Sequence, residues 1–166
     1  MDSLFNLREA ETIRRLEAVY RYCWKMTGSR EEAEDLAQEV VLSALKQPRS
    51  FASEGEKKAW LFGIAHHKVS HHLRRRTLER LFKPQAKDEP EFSGAMAVQE
   101  LIDSLPARQR EAFLLVKVEG FTSLEAAAIL GVPDGTVKHR VYAAVKRLQS
   151  SLRESGIQLE EAPHVP

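Results

Sequence analysis

Residues 122–149, TSLEAAAILGVPDGTVKHRVYAAVKRLQ, decide how this chain is read. Thr122 with Glu125 three residues on is a capping-box pattern, which opens a short helix through Leu130. Gly131 stands where a helix C-terminal glycine belongs. After Val132-Pro133 a second helix starts near Asp134. Small Ala127, four residues before Gly131, leaves room for two steeply crossed helices. Val137, six residues after Gly131, falls on the inner face of the second one. This spacing predicts a helix-turn-helix. From Thr136 to Gln149 there are Lys138, His139, Arg140, Lys146 and Arg147 and no acid. In such a motif the first turns of the second helix reach base edges, while Lys and Arg neutralise phosphates. Thr136, Lys138, His139, Arg140, Tyr142, Lys146 and Arg147 are the candidate duplex contacts. A plain helical hairpin with a basic solvated face competes for the same residues.

Working outward, nearly every periodic segment is helical. A helix over about 8–27 carries Ile13, Leu16, Tyr20 and Cys23 on one face. Ser29 and Glu32 open a second helix, with a stripe of Ala33, Leu36, Ala37, Val40, Val41 and Ala44, which Pro48 stops. After the loop PRSFASEGE a third runs from about Lys57 to Arg76. FKPQAKDEPEFSG, with two prolines and no period, reads as a linker. Helices over 96–104 and 107–118 precede the helix-turn-helix. The expected fold is all-α: two small helical domains joined by a flexible linker, the C-terminal one a helix-turn-helix. The boundaries are 1–80, a linker at 81–95, 96–152 and a tail at 153–166.

Composition narrows the function classes. The chain has 166 residues with 43% apolar, enough for a core. No run of 18 apolar residues predicts a membrane span. The polar start does not read as a signal peptide. A single Cys23, on an apolar stripe, fits a reducing cytoplasm and a buried inert thiol. No phosphate loop, nucleophile elbow or HExxH pattern supports catalysis, and no cofactor is expected.

The net charge of +1 conceals opposed patches. Lys57–Arg76 and Thr136–Gln149 hold ten Lys and Arg and no acid, whereas Glu31, Glu32, Glu34, Asp35 and Glu39 crowd the second helix. Different surfaces for different partners are the expectation, against the plainer reading that the charges satisfy each other.

Three stretches carry a family resemblance: GSREEAEDLAQEVVLSAL, WLFGIAHHKVSHHLRRR and LPARQREAFLLVKVEGFTSLEAAAILGVPDGTVKHRVYAAVKRL. Together they resemble the bacterial sigma factors of the extracytoplasmic-function group, over about residues 10–80 and 96–152. The resemblance implies a promoter-directing subunit of RNA polymerase with no membrane insertion, working in the cytoplasm and at the nucleoid. It implies docking of Asp35, Gln38 and Glu39 on the β′ clamp helices, further contact with the β subunit, and an anti-sigma factor as regulator. It also implies recognition and melting of the minus-ten element by the loop with Phe51 and by His66, His67, Lys68, Ser70, Arg74 and Arg75. The helix-turn-helix becomes the minus-35 reader.

One departure stands out. Where the family commonly has Asn and then Asp, this chain has His67 and His71, flanked by His66 and His72. Two imidazoles at i, i+4 fall short of the three or four ligands a metal site needs, so no metal is expected. Histidine there implies pH-sensitive promoter opening between about pH 6 and 8. A helix-turn-helix regulator that binds duplex DNA without polymerase, or a sigma-like decoy that binds a regulator, remain as alternatives.

Overall fold

The structure is a computed structural model. It describes residues 9–82 and 94–154, with side chains at 13–82 and 99–154. Of the expected linker, 81–95, residues 83–93 lie outside the described residues, and of the expected tail, 153–166, all from 155 on do; 81–82, 94–95 and 153–154 belong to helices. Seven α-helices and no strand occur among the described residues: α1 Glu9–Thr27, α2 Arg30–Leu45, α3 Glu54–Phe82, α4 Gly94–Asp103, α5 Ala107–Phe113, α6 Ser123–Leu130 and α7 Asp134–Glu154. No described helix is long and apolar enough to cross a membrane.

The local signals act as read. Ser29 caps α2 by accepting from the Glu32 amide. At α6 both hydrogen bonds of the capping box form between Thr122 and Glu125. Gly131 adopts φ 66°, a left-handed conformation that side chains with a Cβ resist, and the Val132 amide closes the turn on the Ala127 carbonyl at 3.1 Å. Ala127 and Val137 are both buried in the crossing.

Two elements differ from expectation. α3 is longer than 57–76 at both ends, because Ser53 opens it by accepting from the Glu56 amide at 3.1 Å and nothing breaks it before Pro84. The helix expected over 107–118 changes at Leu114 into a π-helical turn through Val118, and Gly120 at φ 79° ends it.

Packing joins the two regions. α1, α2 and α3 pack mutually, α5 and α6 pack on α7, and α6 also lies against α3. One apolar cluster runs from Val19, Tyr22 and Cys23 through Phe62 and Val69 to Leu115, Phe121 and Val137. Tyr22, Phe62 and Phe121 meet edge-on, with ring centroids 5.5 and 5.3 Å apart along the series. The buried face of α1 is Val19, Tyr22, Cys23 and Met26, rotated from the expected stripe. Of the expected stripe Cys23 is buried, Leu16 and Tyr20 line a groove, and Ile13 is 49% exposed. Cys23 is fully buried, and burial pushes its thiol up to about 12, which keeps it protonated and unreactive.

Candidate nucleic-acid and polymerase interfaces

α7 presents the barest of the candidate surfaces. Val137, Val141 and Ala144 point into the core and fix the helix rotation. Lys138, His139, Tyr142, Lys146 and Arg147 are thereby exposed, with Thr136 and Arg140 half-buried beside them. Lys138 pairs with Asp134 one turn earlier at 2.6 Å, and hydrogen bonds from Lys138 and then Ser123 hold the Asp134 carboxyl below its usual range. Lys146 stands 5.0 Å over the Tyr142 ring. Cations flanking an exposed aromatic ring suit a phosphate-lined groove.

α3 is equally basic but mostly engaged. Lys57 is buried at 3% exposure, close to the Phe51 ring, so it is no phosphate contact in this arrangement. Lys58 donates to the Glu119 carbonyl at 2.5 Å and lies over Phe121. Lys68 faces Glu39 at 3.6 Å, and Arg76 donates to the Thr27 carbonyl and to Glu32. His72 lies 3.2 Å from Glu32 without hydrogen-bond alignment. The acidic α2 and basic α3 therefore do satisfy each other in part. His67, His71, Arg74 and Arg75 stay exposed, and Arg75 pairs with Glu79 at 3.3 Å. No group of three or more possible metal ligands occurs among the described residues.

Phe51 packs 5.1 Å from Trp60, with Arg49 near its ring. Both aromatic rings are half-buried. Below them a cleft of about 710 Å³ is lined by Trp60, Gly63, Ile64, His67 and Lys68 of α3 and by Glu125, Ala128 and Ile129 of α6. The structure thus gathers His67 and Lys68 on one cleft, with Phe51 packed behind its Trp60 wall, and leaves Arg74 and Arg75 further along the helix.

Between α1 and α2 lies an apolar groove of about 560 Å³, lined by Leu16, Val19, Tyr20, Ala37, Val41 and Leu42. Gln38 lines it as well, with Glu17 and Glu34 at its rim. Asp35 and Glu39 are exposed on the same helix. Leu42 and Leu45 are half exposed, at 55% and 50%. An apolar trough with an acidic edge fits a helical partner carrying basic side chains.

Sequence reasoning missed the seam between the regions. Glu111 of α5 is buried, and its Oε1 accepts from the Tyr22 hydroxyl and from His66 Nδ1, both at 2.5 Å. Burial first, and the Glu111 carboxylate second, push the Tyr22 hydroxyl well above its ordinary value, so it remains a donor. Arg110 donates to the Met26 carbonyl at 3.0 Å. One signal was available: Glu111 is an acid beside buried Ala112 and four residues before buried Leu115.

Two family models match the chain, sigma-70 region 2 over residues 13–79 and sigma-70 region 4 over residues 95–148. Among curated proteins it is similar to the ECF RNA polymerase sigma factor EcfG of Rhodopseudomonas palustris, 34% identical over 80% of this chain and 78% of that one. It is also similar to the ECF RNA polymerase sigma factor SigD of Mycobacterium tuberculosis, 33% identical over 90% of this chain and 78% of the relative. Among solved structures, the sigma factor RpoE of Bartonella quintana, in complex with the anti-sigma factor NepR, superposes with a TM-score of 0.76 at 29% identity. That match covers 87% of this chain and 96% of the other. CnrH, in complex with the cytosolic domain of CnrY, shares the fold with a TM-score of 0.64 at 23% identity, over 87% of this chain and 86% of the other.

Proposed function

We propose a division of labour for this chain, which belongs to the extracytoplasmic-function RNA polymerase sigma factors and directs core polymerase to promoters for transcription initiation. Residues 1–80 dock on polymerase and take the minus-ten element, 81–95 link, 96–152 read the minus-35 element, and 153–166 form a tail. Asp35, Gln38 and Glu39, beside the α1–α2 groove, meet the β′ clamp helices, and the C-terminal unit meets the β subunit. Phe51, His66, His67, Lys68, Ser70, Arg74 and Arg75 hold the melted minus-ten strand, whose unstacked bases need aromatic and basic neighbours. Thr136, Lys138, His139, Arg140, Tyr142, Lys146 and Arg147 hold the minus-35 duplex. An anti-sigma factor, such as RpoE has in NepR, covers these surfaces until induction. The protein works in the cytoplasm, and at the nucleoid once polymerase holds it.

The observation that carries this reading is the outward basic row of α7, fixed by a capped helix-turn-helix whose inner face is buried. Run-off transcription with purified core enzyme on genomic templates tests it. A promoter-specific transcript that depends on this chain is the expected result. Tight duplex binding without core, and no transcript, would assign the chain to the helix-turn-helix regulators instead.

A further inference from the structure

Glu111 is placed where a carboxylate is costly. It is 8% exposed, among Ala112, Leu114 and Leu115, which are fully buried. An ionised carboxylate leaves water at a cost of several kcal/mol unless good donors replace its hydration. Here both donors come from the other region: Tyr22 from α1, 89 residues away in sequence, and His66 from α3, 45 residues away. Glu111 is therefore satisfied by protein only when α5 is seated against α1 and α3. Lys58 to the Glu119 carbonyl and Arg110 to the Met26 carbonyl add two ties of the same kind. Each of these polar groups regains water when the regions separate, which is the chemistry of a reversible inter-domain contact.

Closure has unequal consequences for the two basic surfaces. It seats α6 against α3 and sets Glu125, Ala128 and Ile129 across the cleft from His67 and Lys68. His66 itself is spent on Glu111. A strand entering there meets an acid and a helix. The reader residues of α7 remain exposed in the same arrangement.

We propose that Glu111 is an intramolecular latch that holds the C-terminal helices over α3 in the free chain, masking the minus-ten surface while leaving the minus-35 reader open. This rests on the assignment of α3 to the minus-ten strand made above. The latch is broken by Glu111→Ala, which leaves the Tyr22 hydroxyl unpaired and His66 Nδ1 with only the Ser70 hydroxyl, at 3.4 Å, when closed, whereas both are hydrated when open. Tyr22→Phe removes one donor and keeps the ring, so it loosens the latch without a cavity.

The test uses the full chain with spin labels at Lys46→Cys and Gln149→Cys, both exposed, while buried Cys23 stays unlabelled. Circular dichroism checks that each variant keeps its helices. Wild type is expected to give one narrow label distance, and Glu111→Ala a broad, longer distribution. Affinity for a fluorescent thymidine 12-mer is expected to rise about tenfold or more in Glu111→Ala and about threefold in Tyr22→Phe, since each lost charge-assisted bond shifts closure by that order. Affinity for a promoter duplex is expected to stay unchanged. Unaltered distances in both variants overturn the latch. Altered distances without tighter single-strand binding overturn the masking. Failure of the sigma-factor reading shows separately, as absence of a promoter-specific transcript with core.

Discussion

α3 and α7 carry the same sequence signature, a long run of Lys, Arg and His with no acid, yet they end in opposite states. α7 packs on α5 and α6 through one face and turns its cations outward. α3 packs on α1 and α2 on one side and α6 on another, and most of its cations find partners within the protein. Lys57 is buried, Lys58 meets Glu119, Lys68 meets Glu39 and Arg76 meets Glu32. The number of neighbours an element has, rather than its own composition, decides whether a basic run is a surface.

The largest expected effect comes from removing the hub of the shared core. Phe62 is 1% exposed and touches Tyr22 of α1 and Phe121 beyond α5 edge-on. Phe62→Ala is expected to destabilise by about 3–5 kcal/mol and to loosen both regions together. Val137→Ala on α7 is expected to cost less and to loosen the C-terminal helices alone. Hydrogen exchange by mass spectrometry separates the two patterns. Loss of protection confined to α3 in Phe62→Ala would break the comparison.

On α7, the proposed reader, the expected effects are smaller and differ in kind. Arg140→Ala or His139→Ala is expected to cost about 1–3 kcal/mol at one base position and to alter minus-35 preference. Lys146→Ala is expected to weaken all sequences alike and lower the salt slope by about 1. Equal, sequence-independent losses in competition binding from all three would refute this split. Below these stands Thr122→Ala, which removes the cap of α6 and is expected to cost about 1 kcal/mol in thermal unfolding. An unchanged melting temperature would remove the capping box from the account.

The smallest effect is with pH at the seam. Burial raises the Glu119 carboxyl above its ordinary value of 4.5, against the pull of Lys58, Arg21 and Lys25. A raised group binds its proton more tightly when closed. Its contribution to closure is thus complete below 4.5 and lost as pH rises through the closed-form value. The closed fraction in the label-distance experiment is expected to grow modestly on acidification from about pH 7 to about pH 5. A shrinking fraction contradicts the sign.

Much of the fold was legible because its signals are local. The caps at Ser29 and Thr122, the Gly131 turn and the Ala127–Val137 crossing all act over a few residues. The α1 face was read one step off, since Leu16 and Tyr20 are as apolar as Tyr22 and Met26 but line the groove instead, and Ile13 is exposed. Periodicity identifies an apolar face and does not say which neighbour covers it. The π-helical turn at Leu114–Val118 has no signal in propensity. The seam was hidden for a different reason. Glu111 finds its donors across 89 and 45 residues, and no spacing rule reaches that far.

The central contrast is tested most directly by timed acetylation of the free chain, read lysine by lysine. Lys146 is predicted to react fast, Lys57 and Lys58 slowly, and Glu111→Ala to release Lys58 while Lys57 stays protected. Lys57 and Lys58 reacting as fast as Lys146 in the wild-type chain would contradict it.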